Sequence, residues 1–253
     1  MTIHEFTFSP TGGTRRVSEL LCKGFETQTT HTELCTKPGL EGEVPVIHAD
    51  DLTIIAMPVY GGRVPAMAVE RLRRVEANGS RCAVVAVYGN RAYEDALVEM
   101  QDVATAMGFR VVAAVAAIAE HSICRQFAAG RPDEADAKQL ASFATAILDK
   151  IAKDDSHDLL ALPGNRPYKE GIPGPRPTAS DACTGCGTCA SQCPAEAISP
   201  DDLRGNDVAR CIGCMRCVAV CPVHARSIGD QLAMLTARLS PLCGDRKQNE
   251  LFV

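Results

Sequence analysis

The sequence lacks the features that mark membrane-spanning, secreted and nucleic-acid-binding proteins. Its longest apolar run, residues 111–119, is far shorter than the roughly 18 residues that a membrane-spanning helix needs. No charged segment followed by an apolar one opens the sequence, so no signal peptide is expected. The formal charge of −5 argues against a nucleic-acid partner. We therefore expect no membrane span, no nucleic acid and a cytoplasmic location.

Two nucleotide-binding signatures are also missing. The glycines in the segment SPTGGT (residues 9–14) are not followed by the lysine of the motif G-x-x-x-x-G-K-[ST], which argues against a nucleoside triphosphate. The segment does not match G-x-G-x-x-G either, so direct use of NAD(P)H has no support in the sequence.

Cysteine is the residue that the sequence has in excess, because thirteen occur in 253 residues. Eight of them form two runs of the pattern C-x-x-C-x-x-C-x-x-x-C-P, which begin at Cys183 and Cys211. This is the bacterial-type run for 4Fe–4S clusters, in which the fourth cysteine of each run ligates the other cluster. The rule predicts one cluster on Cys183, Cys186, Cys189 and Cys221, and a second on Cys211, Cys214, Cys217 and Cys193.

Two zinc sites or a disulfide framework are the alternatives for so many cysteines. Zinc does not require the C-x-x-x-C-P ending, and nothing in the sequence indicates secretion. Two clusters are therefore the favoured interpretation. They imply a reducing compartment, and an anaerobic source is expected because such clusters are sensitive to oxygen.

Residues 1–153 alternate between strand and helix patterns, which predicts βαβ units and a parallel doubly wound α/β sheet. Five strands fit the flavodoxin-like order 2-1-3-4-5. The expected strands are residues 3–8, 33–35, 52–57, 81–88 and 110–118, and the expected helices are residues 15–25, 65–76, 93–107 and 134–153.

Three loops at the carboxyl ends of these strands carry candidate binding groups, and ligands of such sheets bind at this edge. Residues 9–14 combine glycine amides, hydroxyls and a helix N-terminus, which suits one phosphate monoester. An ordinary turn with a threonine N-cap is the alternative. Residues 58–65 and 88–93 each place tyrosine beside glycine. Each loop alone is typical of a plain surface loop, whereas three at one edge indicate a site.

Together these segments resemble the flavodoxin–ferredoxin fusion proteins of anaerobes, over about residues 2–230. SPTGGT resembles the flavodoxin phosphate loop and PVYGGRVP the loop that packs on the flavin ring. The similarity to these fusion proteins also includes the segments YGNRAYEDAL and EHS…AAGRPD and the double cysteine run. The resemblance implies FMN, with its phosphate held by Ser9, Thr11, Gly12, Gly13 and Thr14. It implies that Pro58, Tyr60 and Gly61 line one side of the ring, and Tyr88, Gly89, Asn90 and Arg91 the other. Flavodoxins usually have Asn at the position of Gly13, so that side-chain contact would be lost.

The expected domains are a flavodoxin-like FMN-binding domain (1–153), a linker rich in Pro and Gly (154–177), a small α+β dicluster ferredoxin domain (178–230), and a C-terminal helix and tail (231–253). The linker composition indicates a semi-rigid connector, with a loose tether as the alternative. Eight acidic and seven basic residues give residues 178–253 a charge of −1, less acidic than a free ferredoxin. This balance favours docking on the chain's own flavin domain.

Candidates for a direct catalytic role are few. His121 and Arg125 could face a substrate above the flavin, although a structural loop histidine and a solvated arginine are the plainer interpretations. Arg63 and Arg91 lie on the flavin-side loops and could bind an anionic substrate. Glu94, Asp95 and Glu99 are expected on an exposed helix face.

We therefore expect an electron-transfer iron–sulfur flavoprotein that passes electrons between two 4Fe–4S clusters and FMN, and so interconverts one-electron and two-electron carriers. An FMN-dependent reductase of a small organic substrate is one alternative, and an electron carrier without a functional flavin site is another. Redox partner proteins are expected, and the oligomeric state stays open.

Overall fold

A computed structural model describes residues 1–36, 42–153 and 158–253 of the chain. A six-stranded sheet has the order β2-β1-β3-β4-β5-β8, and a separate two-stranded sheet pairs β6 with β7. The strands are β1 (Ile3–Thr7), β2 (Thr29–Glu33), β3 (Leu52–Pro58), β4 (Arg81–Tyr88), β5 (Arg110–Ile118), β6 (Thr178–Ala179), β7 (Arg226–Ser227) and β8 (Glu250–Phe252). The helices are α1 (Gly13–Lys23), α2 (Ala66–Leu72), α3 (Ala96–Ala106), α4 (Glu134–Lys153), α5 (Thr188–Ser191), α6 (Arg216–Ala219) and α7 (Gln231–Cys243).

The first five strands are parallel and confirm the predicted flavodoxin-like order. Strands β3, β4 and β5 are buried on both faces, as their unbroken apolar sequences require. Helices α1 and α4 cover one face, where Leu21 and Ile147 are fully buried. Helices α2 and α3 cover the other face, where Leu72 and Leu97 are fully buried.

The second strand was predicted at the wrong residues. We expected residues 33–35, but β2 spans Thr29–Glu33 and pairs with β1 in parallel register, Ile3 opposite Thr29. Its sequence TTHTE has no apolar residue because β2 is an edge strand that is only partly covered. The search for apolar alternation therefore missed it, although threonine favours strands.

The C-terminal tail contains a strand and a longer helix than the sequence indicated. We expected a helix over residues 230–239 followed by a polar tail with Cys243. Helix α7 instead extends to Cys243, whose side chain is buried against Cys124 and Phe127. Beyond it, β8 pairs antiparallel with β5, with Ala116 opposite Glu250, and extends the predicted five-stranded sheet to six.

Residues 178–230 fold as a small α+β unit, as predicted. Its two-stranded sheet is antiparallel, and α5 and α6 are single short turns, each of which contains the third cysteine of its run. Gly185 and Gly213 occupy equivalent places in the two loops and both have left-handed φ angles, +72° and +65°. Glycine adopts this conformation without strain, which lets each loop curl tightly between its cysteines.

The segment before this unit is bound to the first domain along α3. Asp95 accepts hydrogen bonds from the backbone amides of Asn165 and Lys169, both at 2.8 Å. Arg166 makes two hydrogen bonds to Asp102, at 2.7 and 2.8 Å. Residues 158–177 are therefore an ordered strap rather than a loose tether. Residues 154–157 lie outside the described part of the chain.

Among the helices that the structure describes, none combines the length and apolar character needed to cross a membrane.

Candidate functional site

One group of four cysteines encloses a small cavity in the C-terminal unit. Cys193, Cys211, Cys214 and Cys217 line it together with apolar neighbours such as Ile198 and Ile212. Three of these cysteines come from the second run and one from the first, which is the crossed grouping that the spacing predicts. Four thiols around one cavity suit a 4Fe–4S cluster, since each iron of the cube takes one thiolate.

The other run shows the same crossing. The Cys221 thiol lies near enough to that of Cys186 for the two to interact electrostatically, although 35 residues (221 − 186) separate them in sequence. Cys221 Sγ accepts a hydrogen bond from the amide of Ala225 at 3.2 Å, and Cys193 Sγ accepts one from the amide of Ala197 at 3.3 Å. Such bonds favour the thiolate form that a cluster requires. The assignment of each ligand stays a prediction.

All thirteen cysteines are free thiols, so the disulfide alternative has no support in the structure. Among the described residues, no three His, Cys, Asp or Glu side chains form a group suited to one metal ion.

Residues 182–226 match the family model of the 4Fe-4S dicluster domain. The match supports 4Fe–4S cluster binding by this segment, which we call the cluster domain (residues 178–230). The chain thus joins a flavodoxin-like domain to a ferredoxin-like dicluster domain, the architecture of the fusion proteins that the sequence resembles. No curated protein matches the chain.

Solved structures similar to the chain include several flavodoxins. The Streptococcus pneumonia TIGR4 flavodoxin is 18% identical over 59% of this chain and 99% of that chain, with a TM-score of 0.42. A flavodoxin from the domain Archaea is 14% identical over 60% and 99% of the two chains, with a TM-score of 0.41. The apo form of the NADH:FMN oxidoreductase EMOB is 15% identical over 61% and 91%, with a TM-score of 0.43. The strand order identifies the fold independently of these matches.

The predicted phosphate loop connects β1 to the N-terminus of α1. Gly12 caps the helix with φ +89° and offers no side-chain cap, and the first turn contains no acidic residue. Thr11 is exposed, whereas Ser9 and Thr14 are buried. Unoccupied amides at a helix N-terminus suit an anion, so the residues present fit a phosphate.

Gly13 is where the loop departs from the usual flavodoxin asparagine, and the structure provides a steric reason. A Cβ atom on residue 13 would lie 3.1 Å from the Cβ of Ala119, which follows β5. The close approach of α1 to this strand end leaves little room for a longer side chain.

Glu33 is a residue near this loop that sequence reasoning missed. Its carboxylate accepts hydrogen bonds from the amides of Ser9 at 3.3 Å and Cys35 at 2.9 Å. Burial raises the pKa of Glu33, and the two amides partly offset that effect. The carboxylate thus occupies the Ser9 amide, and the Gly12 amide donates to the Ser9 carbonyl at 3.4 Å, so the amides of residues 11, 13 and 14 remain for a phosphate. The polar strand TTHTE gave no sign of this contact.

The loop after β3 lies against the strap and near Cys214 of the cluster domain. Tyr60 pairs with Arg63 through two backbone hydrogen bonds that close a tight turn. Gly61, with φ +61°, is covered by Ile172 of the strap, because a Cβ there would lie 3.1 Å from the Ile172 amide nitrogen. Burial raises the pKa of Tyr60, and the thiols of Cys214 and Cys35 add to the effect. Pro58 ends β3 and is buried.

The loop after β4 is held by the C-terminal tail. Tyr88 and Tyr93 meet edge to face with ring centroids 5.4 Å apart. Asn90 is 3% exposed, and its amide nitrogen donates to the carbonyls of Cys243 at 2.9 Å and Asp245 at 2.7 Å. Its side-chain bonds therefore serve the tail, whereas the resemblance had assigned Asn90 to the flavin ring.

The remaining residues of that loop are also partly occupied. Arg91 pairs with Glu94 at 2.9 Å, and its carbonyl accepts a hydrogen bond from the Lys247 ammonium. Gly89 lies directly against the ring of His121. Asn90 and Arg91 thus make structural contacts, and the assignment of this loop to the second side of the ring stays a prediction.

The two candidate catalytic residues have structural contacts. His121 Nδ1 accepts hydrogen bonds from the amides of Ile123 at 3.2 Å and Cys124 at 3.1 Å, and burial and the charge of Arg91 lower the pKa of His121. The exposed guanidinium of Arg125 pairs with Glu120 at 2.5 Å. These contacts fit the plainer interpretations of both residues.

Two of the three acidic residues expected on an exposed helix face, Asp95 and Glu99, are buried, and the third, Glu94, is half-buried. Glu99 is 7% exposed and holds Arg63 through two hydrogen bonds of 2.7 Å. Asp95 is 1% exposed, and the amide of Lys169 lowers the pKa of Asp95 more than any other contact. The Arg63 guanidinium also lies over the ring of Tyr168, 4.7 Å from the ring centroid. Arg63 therefore holds the strap against the first domain, whereas the sequence had suggested that it could bind an anionic substrate.

The cluster domain docks on the same edge of the sheet that carries the predicted flavin loops. Arg216 Nη1 donates to the carbonyl of Pro10, inside the phosphate loop, at 3.0 Å. Arg71 of α2 donates to the carbonyl of Pro194 at 2.5 Å. Ile212 packs against the core of the flavodoxin-like domain. The cysteine group around Cys214 is therefore the one that faces the flavin loops.

Proposed function

We propose that the protein is an electron-transfer iron–sulfur flavoprotein, with two 4Fe–4S clusters in the cluster domain and FMN at the carboxyl edge of the large sheet. The hydrogen bond from Arg216 to Pro10 carries the proposal, because it joins the residue beside Cys217 directly to the predicted phosphate loop. Bound FMN would supply an exchange of one or two electrons, and each cluster would supply an exchange of one.

Different residues of the chain would bind the FMN phosphate, the FMN ring and the clusters. The amides of residues 11, 13 and 14 and the hydroxyls of Thr11 and Thr14 would bind the phosphate at the N-terminus of α1. Tyr60 and Tyr88 would border the ring. The contacts of Arg216 and Arg71 keep the group around Cys214 facing this edge.

The proposed partners are redox proteins that deliver or accept single electrons at the more exposed cysteine group. Cys186 is exposed, whereas Cys214 is buried next to the flavodoxin-like domain. Electrons would thus enter at the first group and leave through the second toward the flavin. Thirteen cysteines, none of them in a disulfide, support a reducing, cytoplasmic location.

An anaerobic redox titration of the reconstituted protein, followed by absorbance and EPR, tests the proposal. We expect about eight iron atoms per chain, as two 4Fe–4S clusters require, and one FMN. Reduction through the clusters should bleach the flavin absorbance. Clusters that titrate in a protein that binds no FMN would refute the flavin assignment.

A hydroxyl deletion tests the phosphate loop itself. Thr11→Val removes an exposed hydroxyl for which the structure shows no other bond. Loss of one hydrogen bond to a charged phosphate should weaken FMN binding by about tenfold or more. Thr145→Val, on the exposed face of α4, is the matched control and should leave the affinity unchanged. Equal affinities for the two variants would exclude Thr11 from the phosphate site.

A further inference from the structure

A cavity of about 550 Å³ lies between the flavodoxin-like domain and the cluster domain, on the side of β2. This interdomain cavity is lined by Cys35, Met67 and Arg71 from the first domain. Gln192, Cys193, Glu196, Arg210 and Arg216 are among the residues that line it from the cluster domain. The predicted flavin loops after β3 and β4 do not contribute to its lining. Its volume is within the range of small-molecule sites.

The charged residues that the structure describes in the lining of the interdomain cavity are mainly cationic. They are three guanidinium groups, Arg71, Arg210 and Arg216, and one carboxylate, Glu196. Arg210 pairs with Glu196 at 3.1 Å. Arg71 and Arg216 make their hydrogen bonds to carbonyl oxygens and to Gln192, and neither has an ion pair with a carboxylate in the described part of the chain.

Both of these arginines are partly withdrawn from water. Burial lowers the pKa of Arg71, and the nearby carboxylates of Glu70 and Glu196 partly offset that effect. The Nε atom of Arg216 is buried and has no hydrogen-bond partner among the described residues. Hydrogen bonds from a guanidinium group to an oxyanion are stronger than those to a neutral carbonyl, so an oxyanion in the interdomain cavity would bind favourably to Arg71 and Arg216.

The interdomain cavity also has apolar lining residues. They are Met67, one helical turn before Arg71 on α2, and Pro194 and Ala195 of the cluster domain. A phosphate ion would leave most of the volume unfilled. An organic acid with a short apolar body fills it, with its carboxylate on the arginines and its body against Met67.

We propose that the interdomain cavity binds a small organic acid beside the Cys193 group. Arg71 and Arg216 hold the carboxylate, so the acid touches both domains and stabilises their docking. The site does not depend on FMN, because none of the predicted ring-lining residues belongs to it. In the competing interpretation, Arg71 and Arg216 only neutralise the negative charge of the nearby cluster. That interpretation predicts that an added organic acid does not bind.

Calorimetry on the anaerobic, cluster-loaded and FMN-loaded protein tests the proposal, with benzoate as the probe and benzyl alcohol as its neutral analogue. At constant ionic strength we expect saturable benzoate binding and at least tenfold weaker binding of benzyl alcohol. Equal affinities for the two would overturn the proposal. Competition between benzoate and FMN would also overturn it, because it would place the acid in the phosphate loop.

Two variants locate the site. Arg71→Gln should weaken benzoate binding at least tenfold, whereas Arg238→Gln, at an exposed arginine of α7, should not. Because Arg71 also contacts Pro194, Met67→Glu provides a test that keeps every arginine and places a carboxylate in the interdomain cavity. It should abolish benzoate binding, and Met234→Glu on the exposed side of α7 should not. Unchanged binding in Met67→Glu would overturn the proposal, and FMN content measured on the same samples reports the proposed function separately.

Discussion

Asn249 fastens the C-terminal tail to the flavodoxin-like domain, and its removal should release the tail. The side chain is 4% exposed. Its oxygen accepts a hydrogen bond from the Ile118 amide at 2.9 Å, at the end of β5. Its nitrogen donates to Asp136 at 3.0 Å and to Gln139 at 2.8 Å. One side chain thus joins the tail to β5 and to the start of α4.

The cost of Asn249→Ala follows from the groups that it would leave unpaired. A buried amide without an acceptor costs about 1–3 kcal/mol, and a hydrogen bond to a charged group contributes about 1.5–3 kcal/mol. Since these terms are not additive, we expect about 3 kcal/mol against the docked tail. This corresponds to a shift of roughly 100-fold in the equilibrium between docked and released tail.

Hydrogen exchange on the anaerobic holoprotein measures this equilibrium directly. In Asn249→Ala, the amide of Ile118 and those of β8 should exchange about 100-fold faster. Gln248→Ala is the matched control, because Gln248 is exposed and precedes Asn249 in the same segment. Exchange in β8 that is unchanged in Asn249→Ala, or accelerated equally in Gln248→Ala, would refute the role of Asn249.

Two further predictions concern the surroundings of this network. Burial alone would raise the pKa of Asp136, but its hydrogen bonds, of which that from Arg131 has the largest effect, outweigh burial and lower the pKa. The Asp136 carboxylate should therefore stabilise the docked tail fully above the unfolded pKa of about 3.9. This contribution should be lost as the pH falls through the lower pKa of the folded state. The hydrogen exchange rate of the β8 amides, corrected for the intrinsic pH dependence of exchange, should therefore rise below about pH 4. Asp136→Asn should remove this rise, whereas Asp149→Asn, at an exposed position of α4, should not. Gly89→Ala places a Cβ 2.6 Å from the His121 ring, so the domain should lose about 1–3 kcal/mol and residues 121–130 should exchange faster. Gly171→Ala, whose Cβ meets nothing within 4 Å, should change neither, and equal effects in the two variants would contradict the packing of Gly89 on His121.

The parts of the fold that the sequence predicted well are those with a strong local pattern. Strands β3, β4 and β5 were expected within a residue or two, because they are buried on both faces and their apolar sequences allow no other element. Strands β2 and β8 have no such pattern. Their pairing depends on the neighbouring edges of β1 and β5, which a sequence does not display.

The candidate site divides in the same way. The cysteine spacing predicted a crossed grouping, and the structure brings Cys193 next to the second run. This part was predictable because the same local cysteine pattern occurs twice in the sequence. The occupation of Asn90 by the tail and of the Ser9 amide by Glu33 depends on residues 153 and 24 positions away. Likewise, the sequence around Asp95 and Glu99 is typical of a solvated helix face, whereas in the structure both residues are buried where the strap packs on α3.

The two ends of the cluster domain explain how a small interface holds it in place. On one side the strap is fixed to α3 through Asp95 and Asp102, and on the other β8 is fixed to β5. The domain is thus confined near its docking surface at a high effective concentration, so few direct contacts are needed. The bonds from Arg216 to Pro10 and from Arg71 to Pro194 would be too few for a freely diffusing ferredoxin. The separation of the proposed clusters and flavin is therefore set as much by the strap and the tail as by the interface, and loss of either anchor should slow electron transfer without removing a ligand.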